Sequence, residues 1–260
     1  MKIRILNRNN LKIFAIISML IDHINKVLLY WFIMNGNQEI YTVFNVRIET
    51  ILDIQTICII IGKFAYPIFA FFIAEGFYYT SDRKKYLIRI FMFAILSEIP
   101  FDLAIFNGPS SRRTIVPFDF YMQNVMFTFA IALLVLIICQ KIEYLHKAVT
   151  RILLQSIVVF IGICAAEFFK TDGGGFGILF IVISFLLRRK GFFLLFAQIG
   201  TAFVFSKLSW QYVVSFFCLS MLYNGEKGKR NIKYLFYSFY PLHFIILFLL
   251  TRILNNIFIL

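Results

Sequence analysis

Cysteine is scarce in this 260-residue chain, and the four present stand apart. Cys58, Cys139, Cys164 and Cys218 lie singly inside apolar runs with no CxxC and no paired spacing. That pattern argues against a disulfide framework and a thiolate metal site, and reads as buried, inert thiols. Histidine is scarcer still, at three residues, and no HxxxH or HxxE spacing accompanies it, so no metal is expected. No P-loop and no GxGxxG occur. The run Gly173-Gly174-Gly175 is read as a tight turn rather than a phosphate cradle. No stretch rich in Pro, Gly or Ser divides the chain, which points to one domain over residues 1–260. The first apolar run is too long and too polar at its centre for a signal peptide, and no small-residue cleavage site follows it.

What the chain does have is apolar surface. It is 61% hydrophobic with a mean hydropathy of +0.84, where a soluble domain holds roughly 45–50% apolar residues. The net charge of +13 would suit nucleic acid, but the basic residues fall in short clusters between apolar runs. Such clusters mark loops at a membrane face. No nucleic-acid partner is expected. The expected class is all-α, a polytopic integral membrane bundle in the cell membrane.

About 20 apolar helical residues cross the hydrocarbon core. Candidate segments lie near 11–34, 51–78, 86–106, 123–140, 150–169, 175–188, 191–206, 209–223 and 234–256. That makes about nine transmembrane helices, with a range of eight to ten because those in 175–223 are short. With nine, eighteen Lys and Arg fall on one side and six on the other. The positive-inside rule then puts the N-terminus in the cytoplasm and the C-terminus outside.

Polar residues inside these segments carry the functional expectation. In SMLIDHINKV, His23 lies about 12 residues into the first helix, roughly 18 Å deep. Lys63, Glu98 and His243 reach comparable depths in the second, third and last helices. An isolated charge there costs roughly 2.5–3.5 kcal/mol on insertion scales, so these groups are expected to face one another or a wet cavity. Imidazole titrates near neutrality and suits a general base. Asp22 points about 100° away from His23 and is placed to pair with Lys26 instead. His146 sits in a basic loop and is assigned no role. In the last helix, Tyr237, Tyr240 and His243 recur every third residue, and Pro241 frees a backbone carbonyl that can line a cavity. The basic run SDRKKYLIR, holding Arg83, Lys84, Lys85 and Arg89, is an ordinary cytoplasmic loop signal and equally a seat for a phosphate-rich cofactor.

Five blocks, MLIDHI, IGKFAYPIFAFFIAEGFYYTSDRKKYLIRIFMFAILSEIPFDL, NVMFTFAIALL, TDGGGFGIL and FYSFYPLHFIIL, together resemble the TraX family of membrane proteins. They fall in the family's order and cover most of the chain. The family's namesake is implicated in N-terminal acetylation of the pilin of conjugative pili. The family is also similar to multi-helix membrane acyltransferases that take acetyl-CoA from the cytoplasmic side. The resemblance implies that His23 with Asp22, and His243 with Tyr240, belong to the site, and that Glu98, Asn124 and Asp172 fall in matching blocks. The chain departs from the family at Gly62-Lys63, where Gly-Arg is expected, and at Asp172-Gly173-Gly174, where Asp-Tyr-Gly is expected. Lysine keeps the charge but loses the bidentate fork.

These lines converge on a membrane acetyltransferase using acetyl-CoA as donor. His23 is the first choice for base and His243 the second, with Asp22 and Glu98 also catalytic. Lys63, Arg83, Lys84, Lys85 and Arg89 are expected to bind coenzyme A, and Tyr240, Tyr237, Asn124 and Asp172 the acceptor. A peptide amine, a sugar hydroxyl and a lipid headgroup all fit as acceptor, by direct transfer or through an acetyl-histidine. The rival expectations are a proton-coupled transporter, which should show internal repeats where this chain has only the echo of YPIFAFFI in YPLHFIIL, and a non-catalytic scaffold.

Overall fold

The computed structural model describes residues 6–36, 38–107, 117–188, 190–226 and 233–258. The architecture is all-helical: among the described residues no strand forms, and the two isolated bridges join Leu6 to Tyr223 and Gln123 to Thr171. Backbone groups satisfied within helices are what a hydrocarbon environment demands.

Twelve α-helices follow in order among the described residues: α1 Arg8–Ile24, α2 Tyr30–Asn35, α3 Gln38–Val43, α4 Ile48–Gly62, α5 Ala65–Tyr79, α6 Arg83–Asp102, α7 Val125–Ile142, α8 Ala148–Phe168, α9 Gly174–Leu187, α10 Gly191–Val204, α11 Trp210–Phe217 and α12 Lys233–Phe258. Three π-helical stretches, Asn25–Leu29, Leu103–Asn107 and Cys218–Leu222, extend α1, α6 and α11. All nine apolar segments expected from the sequence are helical. Five stretches are long and apolar enough to cross a membrane: Arg8–Asn35, Ile48–Tyr79, Val125–Ile142, Ala148–Phe168 and Ser238–Phe258. Gly174–Leu187, Gly191–Val204 and Trp210–Leu222 are apolar but shorter. These helices are consistent with a membrane protein. Helix α8 displays an apolar surface of the kind a bilayer could cover: Val149, Ile152, Leu153 and Phe160 are exposed along it and only Gly162 and Ala166 are buried.

Proline sets the local breaks. Pro67 has no N–H for the carbonyl of Lys63 and its ring crowds that carbonyl. The second segment accordingly parts at Lys63 and Phe64, into α4 and α5. Pro100 and Pro241 stay inside α6 and α12.

Contacts divide the chain into two compact units, each discontinuous in sequence. One comprises Met1–Arg8, Pro67–Ile95 and Phe120–Lys227; the other comprises Asn9–Tyr66, Leu96–Asp119 and Gly228–Leu260. In the first unit α7, α8 and α9 pack on one another, and α10 lies against α9 and α11. A Cβ on Gly162 would overlap the Val135 side chain, so glycine is what lets α8 approach α7 there. The triple glycine makes the tight turn expected of it. Gly174, at φ +51°, donates to the Thr171 carbonyl, and Gly173 N–H donates to Thr128 Oγ1.

In the second unit α12 packs on the π-helical stretches after α1 and α6, and those stretches touch each other. A Cβ on Gly62 would meet the Asp22 side chain at under 3 Å, so glycine brings α4 onto α1. The Ser18 hydroxyl donates to the Ile61 carbonyl at the same crossing. At the far end of the unit the Trp31 indole donates to Asn255.

Candidate functional site

The second unit holds a histidine pair. His23 sits near the end of α1, just before the helix widens into its π-helical stretch, and His243 lies two residues past Pro241 in α12. Both are buried. Nε2 of His243 and Nδ1 of His23 are 2.9 Å apart. Nδ1 of His243 is 2.9 Å from the Phe239 carbonyl of its own helix. A carbonyl only accepts, so His243 carries its proton on Nδ1. In a neutral ring Nε2 is then an acceptor. The proton between the rings therefore belongs to Nδ1 of His23, and the remaining nitrogen of His23, Nε2, keeps its lone pair. One backbone carbonyl thus sets the tautomer of two imidazoles and leaves a base at the end of the chain.

Aromatic packing fixes the ring planes. Phe239 stacks on His243 at 5.1 Å and 6°. Phe244 lies 4.6 Å from His23 and 4.1 Å from His243. Tyr240, buried, lies 5.7 Å from His243 and meets Phe244 edge-on. Phe101 of α6 packs edge-on against Phe244 at 5.4 Å. Glu98 is buried one turn before Phe101 on the same helix. Asp102, buried beside it, accepts from the backbone N–H of Asp119 at 2.8 Å.

The other expected residues are placed differently. Asp22 forms an ion pair with Lys26 at 2.7 Å, along the helix as its spacing implied. Lys63 is exposed at the break between α4 and α5. The Tyr237 side chain lies outside the described residues. Asn124, Asp172, Arg83, Lys84, Lys85 and Arg89 all belong to the first unit. Asn124 is buried as the N-cap of α7, accepting from Met126 N–H at 3.0 Å while its amide donates to the Ala94 carbonyl of α6 at 2.8 Å. Asp172 is exposed at the turn before α9. Arg83 lies over the Phe77 ring, Lys84 is exposed, and Lys85 pairs with Asp82 at 3.3 Å. Asp82 caps α6, and the bond from Lys85 N–H is the main reason its carboxyl sits below the usual range. Among the described residues no three His, Cys, Asp or Glu side chains group as metal ligands.

The first unit contains a feature the sequence did not reveal. A cavity of about 330 Å³ opens among the ends of α5, α9 and α10 and the segment after α11, lined by Glu75, Tyr78, Arg188, Gly191, Ser220 and Tyr223 among others. The Glu75 carboxylate takes an ion pair from Arg8 at 3.0 Å and the Tyr223 hydroxyl at 2.7 Å. The guanidinium of Arg188 stacks on Tyr78 at 3.8 Å. Arg8 and Arg188 read in the sequence as two more loop charges, since nothing local marks their long-range partners.

The class of protein follows from comparison with known sequences. The chain belongs to the TraX family: the family model described as "TraX protein" matches residues 7–251. One relative, the "Probable fimbrial assembly protein FimC, serogroup H1" of Dichelobacter nodosus, is 27% identical over 255 residues, covering 91% of this chain and 92% of its own length. No solved structure matches the chain.

Proposed function

We propose that this TraX-family protein is a multi-pass membrane acyltransferase that moves an acetyl group from cytoplasmic acetyl-CoA to an acceptor amine or hydroxyl, with His23 as the base. The observation that carries the reading is the bonded order Phe239 carbonyl, His243, His23, which leaves Nε2 of His23 as an acceptor. In the reaction, the acceptor N–H or O–H gives its proton to this nitrogen as its lone pair attacks the thioester carbonyl. The C–S bond then breaks, and coenzyme A leaves as the thiol with a proton returned by His23. A buried base of this kind is worth roughly 10²–10⁴-fold in rate.

Nine spans with a cytoplasmic N-terminus complete the reading, and the distribution of Lys and Arg supports them. The name of the Dichelobacter relative favours a role connected with fimbriae, for which a pilin N-terminus is one acceptor of suitable chemistry.

The test uses purified protein with labelled acetyl-CoA and an acceptor panel of peptide amines, sugars and lipids. Wild type should transfer label. His23→Ala should be expressed and folded as wild type yet lose turnover by about 10²–10⁴-fold. A wild type that binds no acetyl-CoA and labels no acceptor overturns the enzyme reading. Since two bonded imidazoles also suit proton conduction, a proton-coupled transporter would take its place.

A further inference from the structure

We infer that the cavity lined by Arg188 in the first unit binds a phosphate ester, and, resting on the acyl-donor reading above, that this ester is the nucleotide end of coenzyme A.

Charge comes first. Among the described residues the cavity is lined by one carboxylate, Glu75, and that carboxylate is engaged by Arg8 at 3.0 Å and by the Tyr223 hydroxyl at 2.7 Å. Among the described residues Arg188 has no carboxylate within 4.0 Å. Its positive charge is therefore unbalanced within the cavity wall.

Orientation comes next. The guanidinium lies over Tyr78 at 3.8 Å and beside Phe185 at 4.8 Å, and Nη1 donates to the Phe185 carbonyl at 2.6 Å. That holds its plane and leaves further N–H donors. Among the described residues Nε, shielded from solvent, has no hydrogen-bond partner. A fixed guanidinium with donors to spare matches the oxygens of a phosphate better than an ammonium would.

A second element points the same way. Helix α10 begins at Gly191, which lines the cavity, and its N-cap residue Lys190 makes no side-chain cap bond. The N–H groups of a helix start favour phosphate oxygens. The Ser220 hydroxyl lines the same space. A simple carboxylate ligand would use fewer of these donors.

Size limits the ligand. A volume of about 330 Å³ is at the small end of ligand pockets, which run about 300–1,000 Å³. It accommodates a phosphate and its attached sugar or base, with the rest of a long donor outside.

The test measures binding to the full-length protein in phosphatidylcholine nanodiscs. The probes are coenzyme A, 3′,5′-ADP and glycerol 3-phosphate, the last standing for a lipid headgroup. Wild type should bind coenzyme A and 3′,5′-ADP. Arg188→Gln should weaken both by at least about ten-fold, the worth of one charge-assisted hydrogen bond. Arg188→Lys, which keeps the charge, should fall between, and it serves as the second variant if the glutamine form does not fold. Lys84→Gln with Lys85→Gln should weaken binding less than Arg188→Gln.

Equal affinity of wild type and both Arg188 variants for every probe overturns the proposal. If coenzyme A still binds and acetyl is still transferred in that case, the enzyme reading survives without this pocket. If only glycerol 3-phosphate binds, and Arg188→Gln abolishes it, the phosphate site stands as a lipid headgroup site and the acyl-donor reading falls.

Discussion

In the proposed chemistry His243 acts through His23. It turns His23 by accepting from Nδ1, and it is itself turned by the Phe239 carbonyl. In that reaction it would be a positioning residue, and its removal should act on kcat rather than KM. His243→Ala should lower kcat by about 10–100-fold, the usual cost of losing the partner that orients a functional histidine. Gln offers an amide oxygen near the position of Nε2, so His243→Gln should recover part of the loss. Steady-state kinetics on the three proteins decide it. Equal loss in the alanine and glutamine forms, with KM raised in both, would mean that His243 serves only packing.

At the scale of the element, the decisive features are helix starts, breaks and close crossings. Asn124 was expected at the acceptor site, and its contacts are those of a cap that also ties α7 to α6. Asn124→Ala removes an N-cap, worth about 0.5–2 kcal/mol, and the bond to the Ala94 carbonyl, worth about 0.5–1.5 kcal/mol net. Thermal unfolding in detergent should show a clear loss of stability. Asn124→Asp keeps the cap oxygen but sets a carboxylate oxygen against the buried Ala94 carbonyl, so it too should lose stability. If both variants unfold as wild type does while the KM for the acceptor rises, Asn124 belongs to the binding site after all. The π-helical stretch that follows His23 belongs to this scale too. It is contacted by α12, the helix that brings His243 to within 2.9 Å of His23.

At the scale of the whole molecule, the orientation proposed from the Lys and Arg distribution gives a direct experiment. In a cysteine-free background, Lys84→Cys should be protected in intact cells from an impermeant thiol reagent, and Asp172→Cys should be labelled. Both positions are exposed at the ends of helices, so a failure to react reflects the side of the membrane rather than burial. Labelling of Lys84→Cys with protection of Asp172→Cys would reverse the topology, and with it the side from which the donor arrives.

Composition and patterning alone determined the class of this protein. So many apolar residues in runs of helical length, with basic residues confined between them, admit a membrane helical bundle and little else, and the five ordered blocks were enough to identify the TraX family. That His23 and His243 would need partners was also legible, because ionisable residues deep in apolar runs are costly. Which nitrogen faces which could not be read, since it depends on two helices 220 residues apart meeting at 2.9 Å. The same holds for Arg8, Glu75, Tyr223 and Arg188. Each looks like an ordinary residue in its own segment, and only packing brings Glu75, Tyr223 and Arg188 to one cavity wall and Arg8 onto Glu75. Local sequence carries periodicity, depth and turn chemistry; distance between remote side chains is a property of the folded chain alone.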